Sequence, residues 1–337
     1  MAQLSNRLST NIKNPRLVAF RFGIVVALLG ILIYARSIDL ALLSRIFFAH
    51  PGILILGTGT VLTGYMAATM RWWLILHSQG FSIRYRSVFK LHLTTIFSSV
   101  FIPGGTFSLD ALRVLLLMRM VPRRHTQAAL ATFSDGFVAA LGLSFWAAIL
   151  ALSQRPLRSF EPGSPLPLLN IIAVLSPLGL VMGAWAAWLI VRTTARGYVN
   201  RRQTRIAKIV VVLADFCELF RQKRAVVVVA LGVSVLATGL SLVAIVIVSN
   251  VALVAHLSAW NVMYAASLSQ FASALPISPS GIGVGEAAFN QICLMLSPNT
   301  APYPYATILL GYRIIGILVA AIGGTLTNID HLTTPSD

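Results

Sequence analysis

Charge is scarce in this chain. Charged residues make up 10% of its 337 positions, and only 9 are acidic. A water-soluble domain carries about a quarter charged residues, so that class is excluded, and a disordered chain is excluded with it. Cysteine is nearly absent: Cys217 and Cys293 stand far apart and form no metal or redox motif. The six histidines (His50, His77, His92, His125, His256 and His331) show no ligand spacing, so no metal or other cofactor is expected. His92, apolar-flanked, reads as structural. Neither a Ser-His-Asp order nor a Cys-His pairing is readable, and no Walker motif is present, which argues against catalysis and against ATP. Gly281-Ile282-Gly283-Val284-Gly285 looks like a nucleotide loop, but it follows no soluble strand and is set aside.

What the chain has is apolar length. Hydrophobic residues reach 57% with a mean hydropathy of +0.83. They fall in continuous stretches of about 20 residues, the length a helix needs to cross a bilayer. Continuous rather than alternating runs exclude a β-barrel. The fold class is therefore an all-α polytopic membrane protein. The balance of 26 Lys plus Arg gives a net charge of +17. In a soluble protein that would suggest nucleic acid. Here it reads as the basic excess of cytoplasmic loops, and no nucleic-acid partner is expected.

The basic residues set a topology. A cytoplasmic tail over 1–16 precedes a first crossing at Leu17–Ala35, and Pro51–Leu76 returns the chain inside, marked by Arg71, Arg84, Arg86 and Lys90. Leu91–Met118 is broken at Pro103-Gly104-Gly105 and flanked by basic residues on both sides, so it reads as a re-entrant hairpin entering from the cytoplasm. Crossings follow at about 126–152, 168–191, 225–249 and 305–326. Between the second and third of these, residues 203–222 form an amphipathic, interfacial helix. Residues 259–296, broken at Pro276-Ile277-Ser278-Pro279-Ser280-Gly281 and flanked by loops without Lys or Arg, read as a second hairpin entering from outside. The transmembrane domain thus covers 17–328, with a cytoplasmic tail at 329–337. On this layout 20 of the 26 basic residues lie inside. Trp72, Trp73, Trp185 and Trp188 fall near inner ends as interfacial aromatics. The expected architecture is about six crossing helices plus two opposed hairpins.

The hairpins superpose without a gap at an offset of 176 residues. Pro103, Gly105, Asp110 and Ala111 fall on Pro279, Gly281, Glu286 and Ala287. This points to an inverted repeat, about 51–152 and 225–326, a transporter architecture with its site between the broken helices. The offset also places Asp135 and Arg313 at similar depths, which suggests an ion pair between them.

A break inside the membrane leaves unpaired N–H groups and the positive end of a helix dipole, a setting for phosphate. Gly104, Gly105, Ser280 and Gly281 at the breaks, with Arg113 and Arg313 beside them, form the candidate phosphate-binding set. Arginine is costly in the membrane without a partner and matches phosphate bidentately. Asp110, Asp135 and Glu286 are candidates for charge or proton coupling. Capping of a half-helix explains Asp110 and Glu286 equally well, and Asp110 can simply pair with Arg113 three positions on.

Three stretches resemble a known family: Arg71-Trp72-Trp73; Phe101-Ile102-Pro103-Gly104-Gly105 with Asp110-Ala111-Leu112-Arg113; and Leu275-Pro276-Ile277-Ser278-Pro279-Ser280-Gly281-Ile282-Gly283-Val284-Gly285-Glu286. It is the flippase-like integral membrane family typified by the transmembrane region of lysylphosphatidylglycerol synthases. The first motif departs from the family's pattern, with Leu109 rather than glycine before Asp110. The resemblance implies translocation, as a flippase or scramblase, of an anionic or modified lipid between leaflets of a bacterial cytoplasmic membrane, through a cavity between the hairpins. Only a short tail follows Leu326, so the aminoacyl-transfer domain is not expected, and lysyl-lipid synthesis is not either. Two other readings stay open: an enzyme or accessory membrane subunit in lipid-linked glycan, aminoacyl-lipid or hopanoid biosynthesis, and an ion-coupled transporter of a small anion. The partners are a phospholipid or other lipid and the membrane; a homodimer is left open.

Overall fold

The computed structural model describes residues 23, 26, 27, 30–48, 50–100, 105–121, 124–154, 165–198, 218, 222–251, 257–275, 278, 280–298 and 303–325. Among them the regular structure is helical, with no strand. The elements are α1 (Leu40–Phe48), α2 (Pro51–Ser78), α3 (Tyr85–Ser99), α4 (Gly105–Met120), α5 (His125–Leu152), α6 (Leu166–Tyr198), α7 (Arg224–Val251), α8 (Ala259–Ser273), α9 (Val284–Leu296) and α10 (Ala306–Thr325).

Four of these are long and apolar enough to cross a membrane: Pro51–Ser78, His125–Leu152, Leu166–Ala186 and Arg224–Val251. At 28 residues, α2, α5 and α7 are each about 42 Å long. α10, with 20 residues, spans about 30 Å, the thickness of the hydrocarbon core. The surface they present is inverted relative to a soluble protein. Leu168, Ile171, Ile172, Leu175, Leu178 and Met182 lie exposed along α6 at helical spacing, while Arg71, Asp135, Arg113 and Glu286 are buried. Water would penalise that arrangement and lipid favours it. This is a multi-pass membrane protein.

Apolar surroundings demand that each backbone and hydroxyl group find a partner locally. Pro177, inside α6, removes a backbone donor, and the Ser176 hydroxyl donates instead to the Ala173 carbonyl at 2.8 Å. The hydroxyls of Thr95, Ser99, Ser134, Ser269 and Ser273 likewise donate to carbonyls three or four residues back.

Both broken segments appear. α3 and α4 have 15 and 16 residues, α8 and α9 have 15 and 13, so each arm is about 20–24 Å long and too short to cross alone. α3 ends at Ser99 and α4 starts at Gly105, while α8 ends at Ser273 and α9 starts at Val284, so the helix ends flank the proline and glycine positions. The first arm begins at Tyr85, ahead of the expected Leu91. α1 was not anticipated. Its signal is Asp39, whose Oδ1 accepts from the Ala41 and Leu42 N–H groups at 2.8 and 3.3 Å as an N-cap. Of the first crossing, residues 23, 26, 27 and 30–34 are helical; most of its earlier part, both tails and most of the amphipathic segment 203–222 lie outside the described residues.

The chain forms two compact units. One takes its described residues from 1–63, 90–113 and 240–337, and so holds both hairpin breaks and α10. There α8 and α9 pack along each other, α9 packs on α10, and α10 on α1. The other takes them from 64–89 and 114–239. In it α5 packs on α6, and α5 also meets α7 at very close range. A Cβ on Gly142 would strike Ser234, and one on Gly239 would lie 2.9 Å from the Trp146 ring. Small residues at such a crossing let helices approach where no hydrophobic force drives them together.

Candidate functional site

The second break is built by glycine. Ser280, Gly281 and Gly283 have φ of 48°, 69° and 88°, a left-handed run that turns the chain back on itself. A Cβ on Gly281 would run into the Ser273 backbone carbonyl. The Gly283 N–H, unpaired at the head of α9, donates to Glu286 Oε2 at 2.7 Å. Glu286 Oε1 lies 3.1 Å from Arg313 Nε. The same guanidinium donates from Nη1 to the Ser280 carbonyl at 3.2 Å and from Nη2 to Ser273 Oγ at 2.6 Å. A Cβ on Gly285 would occupy the space of Ser273 Oγ and Arg313 Nη2. The Gly-x-Gly-x-Gly-Glu run is therefore a packing device. Its first glycine admits the α8 backbone, its second turns the chain, its third admits Arg313, and its acid caps the helix and receives the guanidinium.

The first break differs in detail. Phe101, Ile102, Pro103 and Gly104 lie outside the described residues, and Gly105 opens α4. Asp110 sits five positions into α4, and Glu286 only two into α9. The two acids match in sequence offset but differ in role. Asp110, a third exposed, accepts from Arg113 Nη1 at a long 3.4 Å. Arg113 is buried, and its Nη2 lies 2.6 Å from His92 Nδ1. That contact fixes the arms side by side, because His92 is seven residues before the end of α3 and Arg113 eight after the start of α4.

The two breaks meet. Ser99 Oγ, at the end of α3, lies 2.9 Å from Ser280 Oγ. Ser99 already donates its one hydroxyl proton to the Ile96 carbonyl at 2.8 Å, so Ser280 is the donor in the pair. The junction is polar. Ser280 joins the two hairpins through its hydroxyl and carries Arg313 on its carbonyl.

Of the residues singled out from sequence, the first unit gathers Arg113 and Asp110 with His92 at one hairpin, and Arg313, Glu286, Ser280 and Gly281 at the other. Asp135 falls elsewhere. Its carboxylate is held bidentately by Arg71, Nε to Oδ1 at 2.7 Å and Nη2 to Oδ2 at 3.2 Å, while Arg71 Nη1 donates to Ser234 Oγ at 3.0 Å. Ser234 in turn donates to the Val138 carbonyl at 2.9 Å. The expected Asp135–Arg313 pair is thus corrected: the sequence offset equated depths, but Asp135 pairs with Arg71 and Arg313 with Glu286. Arg71, read from sequence for its sidedness, is also a buried ion-pair partner. Trp72, expected at the interface, is fully buried. The signal for Arg71 was there to use. It is a lone cation inside one apolar run and Asp135 a lone anion inside another, and each needs the other in lipid.

A family profile described as "Lysylphosphatidylglycerol synthase TM region" matches residues 18–324. The chain belongs to this family. No curated protein and no solved structure matches it. Within this lysylphosphatidylglycerol synthase TM region fall both hairpins, their Ser99–Ser280 junction and the Arg71–Asp135 pair.

Proposed function

We propose that this protein moves an anionic or modified lipid between the leaflets of the cytoplasmic membrane, with the headgroup passing the hairpin junction and the tails staying in the bilayer. The observation that carries this reading is the Ser99–Ser280 contact. Two helices broken inside an apolar protein meet through hydroxyls, with Arg313 held on the Ser280 carbonyl, and such backbone is tolerated in a membrane only where it is protected or lines a polar path. The family's name supports a lipid with a phosphatidylglycerol headgroup as the first substrate to try. The layout of basic residues supports hairpins that enter from opposite faces, related as inverted repeats, and termini that are cytoplasmic.

The two arginines have different parts. Arg313 is committed to Glu286, Ser280 and Ser273 and holds the second hairpin closed on itself. Arg113, buried at the first hairpin beside Asp110 and His92, is the group to which the headgroup phosphate is assigned, since a guanidinium matches a phosphate bidentately.

The purified protein in phosphatidylcholine vesicles, with a trace of fluorescent phosphatidylglycerol, should make the inner-leaflet label accessible to an external quencher far faster than in empty vesicles. Arg113→Ala should slow this about tenfold or more, the loss of one charge-assisted contact to phosphate. A wild-type rate equal to that of empty vesicles, or an Arg113→Ala rate equal to wild type, would overturn the assignment.

A further inference from the structure

A cleft opens at one end of the second unit, between α2, α5 and α7. Ile75, Val138, Val226 and Val227 wall it, together with Ser78, Ser134 and Lys223. Ile75, Ser134 and Val138 are buried, the two valines of α7 are half-buried and Lys223 is exposed, so the cleft runs from an apolar floor to a cationic mouth. The serines add no donor. Ser78 gives its one hydroxyl proton to the Ile75 carbonyl at 2.7 Å, and Ser134 gives its own to the Leu130 carbonyl at 2.8 Å. A buried water needs about two to four polar partners and a small anion needs donors, so this floor suits neither. It suits an apolar chain. Ser134 adjoins Asp135 and Ile75 lies one turn beyond Arg71, but those two charges are paired with each other and offer the cleft no net charge.

The mouth carries the charge. Arg224 opens α7 next to Lys223, both are exposed, and the first turn of α7 holds no acid. Cations at a helix N-terminus run against the helix dipole, so an anion there is favoured by the side chains and by the helix end alike. Glu218, ahead of them, accepts from Gln222 at 2.6 Å. The same end is basic on the neighbouring helices. Arg124 donates from its two Nη atoms to the Gly80 and Gln79 carbonyls just past α2, and Arg84 and Arg86 stand exposed at the start of α3. On the layout of basic residues this is the cytoplasmic end.

We propose that this cleft binds one anionic phospholipid, with an acyl chain against Ile75, Val138, Val226 and Val227 and the phosphate at Lys223 and Arg224. The site is built from none of the residues of the hairpin junction, and its lipid is resident rather than in transit. The proposal does not depend on the translocation reading. Apolar walls alone accept the chain of any lipid. The two cations at the mouth supply the preference for a negative headgroup, each adding attraction at the level of the membrane surface.

Phosphatidylglycerol with a photoactivatable group on one acyl chain, as a trace in phosphatidylcholine vesicles holding the wild-type protein, tests this. After illumination, peptide mapping by mass spectrometry should place the label on residues 75–78 and 223–227, and unlabelled phosphatidylglycerol should displace it. The same probe with a phosphatidylcholine headgroup should label them far less. Lys223→Gln and Arg224→Gln should each lower the labelling about fivefold, and Arg113→Ala should leave it unchanged. The two probes on the wild-type protein decide the matter even where a variant does not fold. Equal labelling by both headgroups would reduce the contact to bulk lipid, and label absent from these residues would leave the cleft without a chain. Labelling lost in Arg113→Ala would merge the site with the translocation path. Native mass spectrometry of the detergent-solubilised protein should find retained phosphatidylglycerol, and less of it in Lys223→Gln/Arg224→Gln; a dimer that carries none would give the face to a second copy. Each of these contrary results overturns the proposal, whereas vesicles that show no translocation but the expected labelling sink only the translocation reading.

Discussion

Arg71→Ala is expected to cost about 3–5 kcal/mol, a large part of the roughly 5–15 kcal/mol that holds a domain folded. The reason is what it leaves behind. Asp135 is fully buried, and both of its oxygens are held by the one guanidinium. Without it a carboxylate sits in an apolar interior, and Ser234 loses the donor at its oxygen. Arg71→Lys restores the charge but not the two-pronged geometry and should recover only part of the loss. The double change Arg71→Met/Asp135→Leu removes both charges at similar volume and should be far milder than either single change, since a buried pair repays little more than its own desolvation. Thermal unfolding in detergent, with the four proteins side by side, gives the comparison. Single variants as stable as the parent would show that the pair is not the buried contact described.

Glu286→Ala should be the other severe change, again on the order of 3–5 kcal/mol. It removes two functions at once. The Gly283 N–H at the start of α9 loses its acceptor, a cap ordinarily worth about 1 kcal/mol, and the Arg313 guanidinium, largely enclosed by the second break, loses its counter-charge. Glu286→Gln separates the two. An amide oxygen can still cap Gly283, so the cap survives while the ion pair does not, and its cost should fall between those of wild type and Glu286→Ala. Equal stability of Glu286→Gln and wild type would mean that Arg313 is held by Ser273 and Ser280 alone. The same unfolding measurement reads all three proteins.

Much of the fold was legible because lipid makes sequence simple. Long apolar runs must be helices, so the extents of α2, α5, α7 and α10 fall within a few residues of those implied by composition. Clustered proline and glycine in the middle of such a run break it, which located both broken segments, whereas the lone Pro177 leaves α6 continuous. Short elements escaped. α1 has nine residues and depends on Asp39 and on packing against α10, information that a window for spans discards.

The site was legible as a set of residue types but not as a set of pairs. Glu286, Arg313, Ser280 and Gly281 meet at the second break, and Arg113 and Asp110 lie farther along α4, beside His92. Their partners depend on which helix faces lie together, and one-dimensional spacing does not carry that. The repeat offset put Asp135 opposite Arg313, whereas packing in the second unit gives Asp135 to Arg71. It also made Asp110 and Glu286 equivalent, whereas α4 and α9 start at different points relative to their acids. His92 reads from sequence as structural, because apolar flanks and the lack of ligand spacing mark nothing else. Its significance lies in a cation that folds back on it from the neighbouring arm.

The junction of the two hairpins can be tested by locking it. Ser99→Cys/Ser280→Cys, in a Cys217→Ala/Cys293→Ala background, brings two thiols to positions whose hydroxyls stand 2.9 Å apart, close enough for a disulfide after a small shift. Lipid translocation in vesicles is then compared before oxidation, after oxidation, and after reduction, with mass spectrometry confirming the intramolecular bond. The account predicts that the bond forms and slows translocation about tenfold or more, a barrier increase of about 1.4 kcal/mol or more, reversed by reductant. Failure of the bond to form, or full translocation with the bond in place, would contradict it.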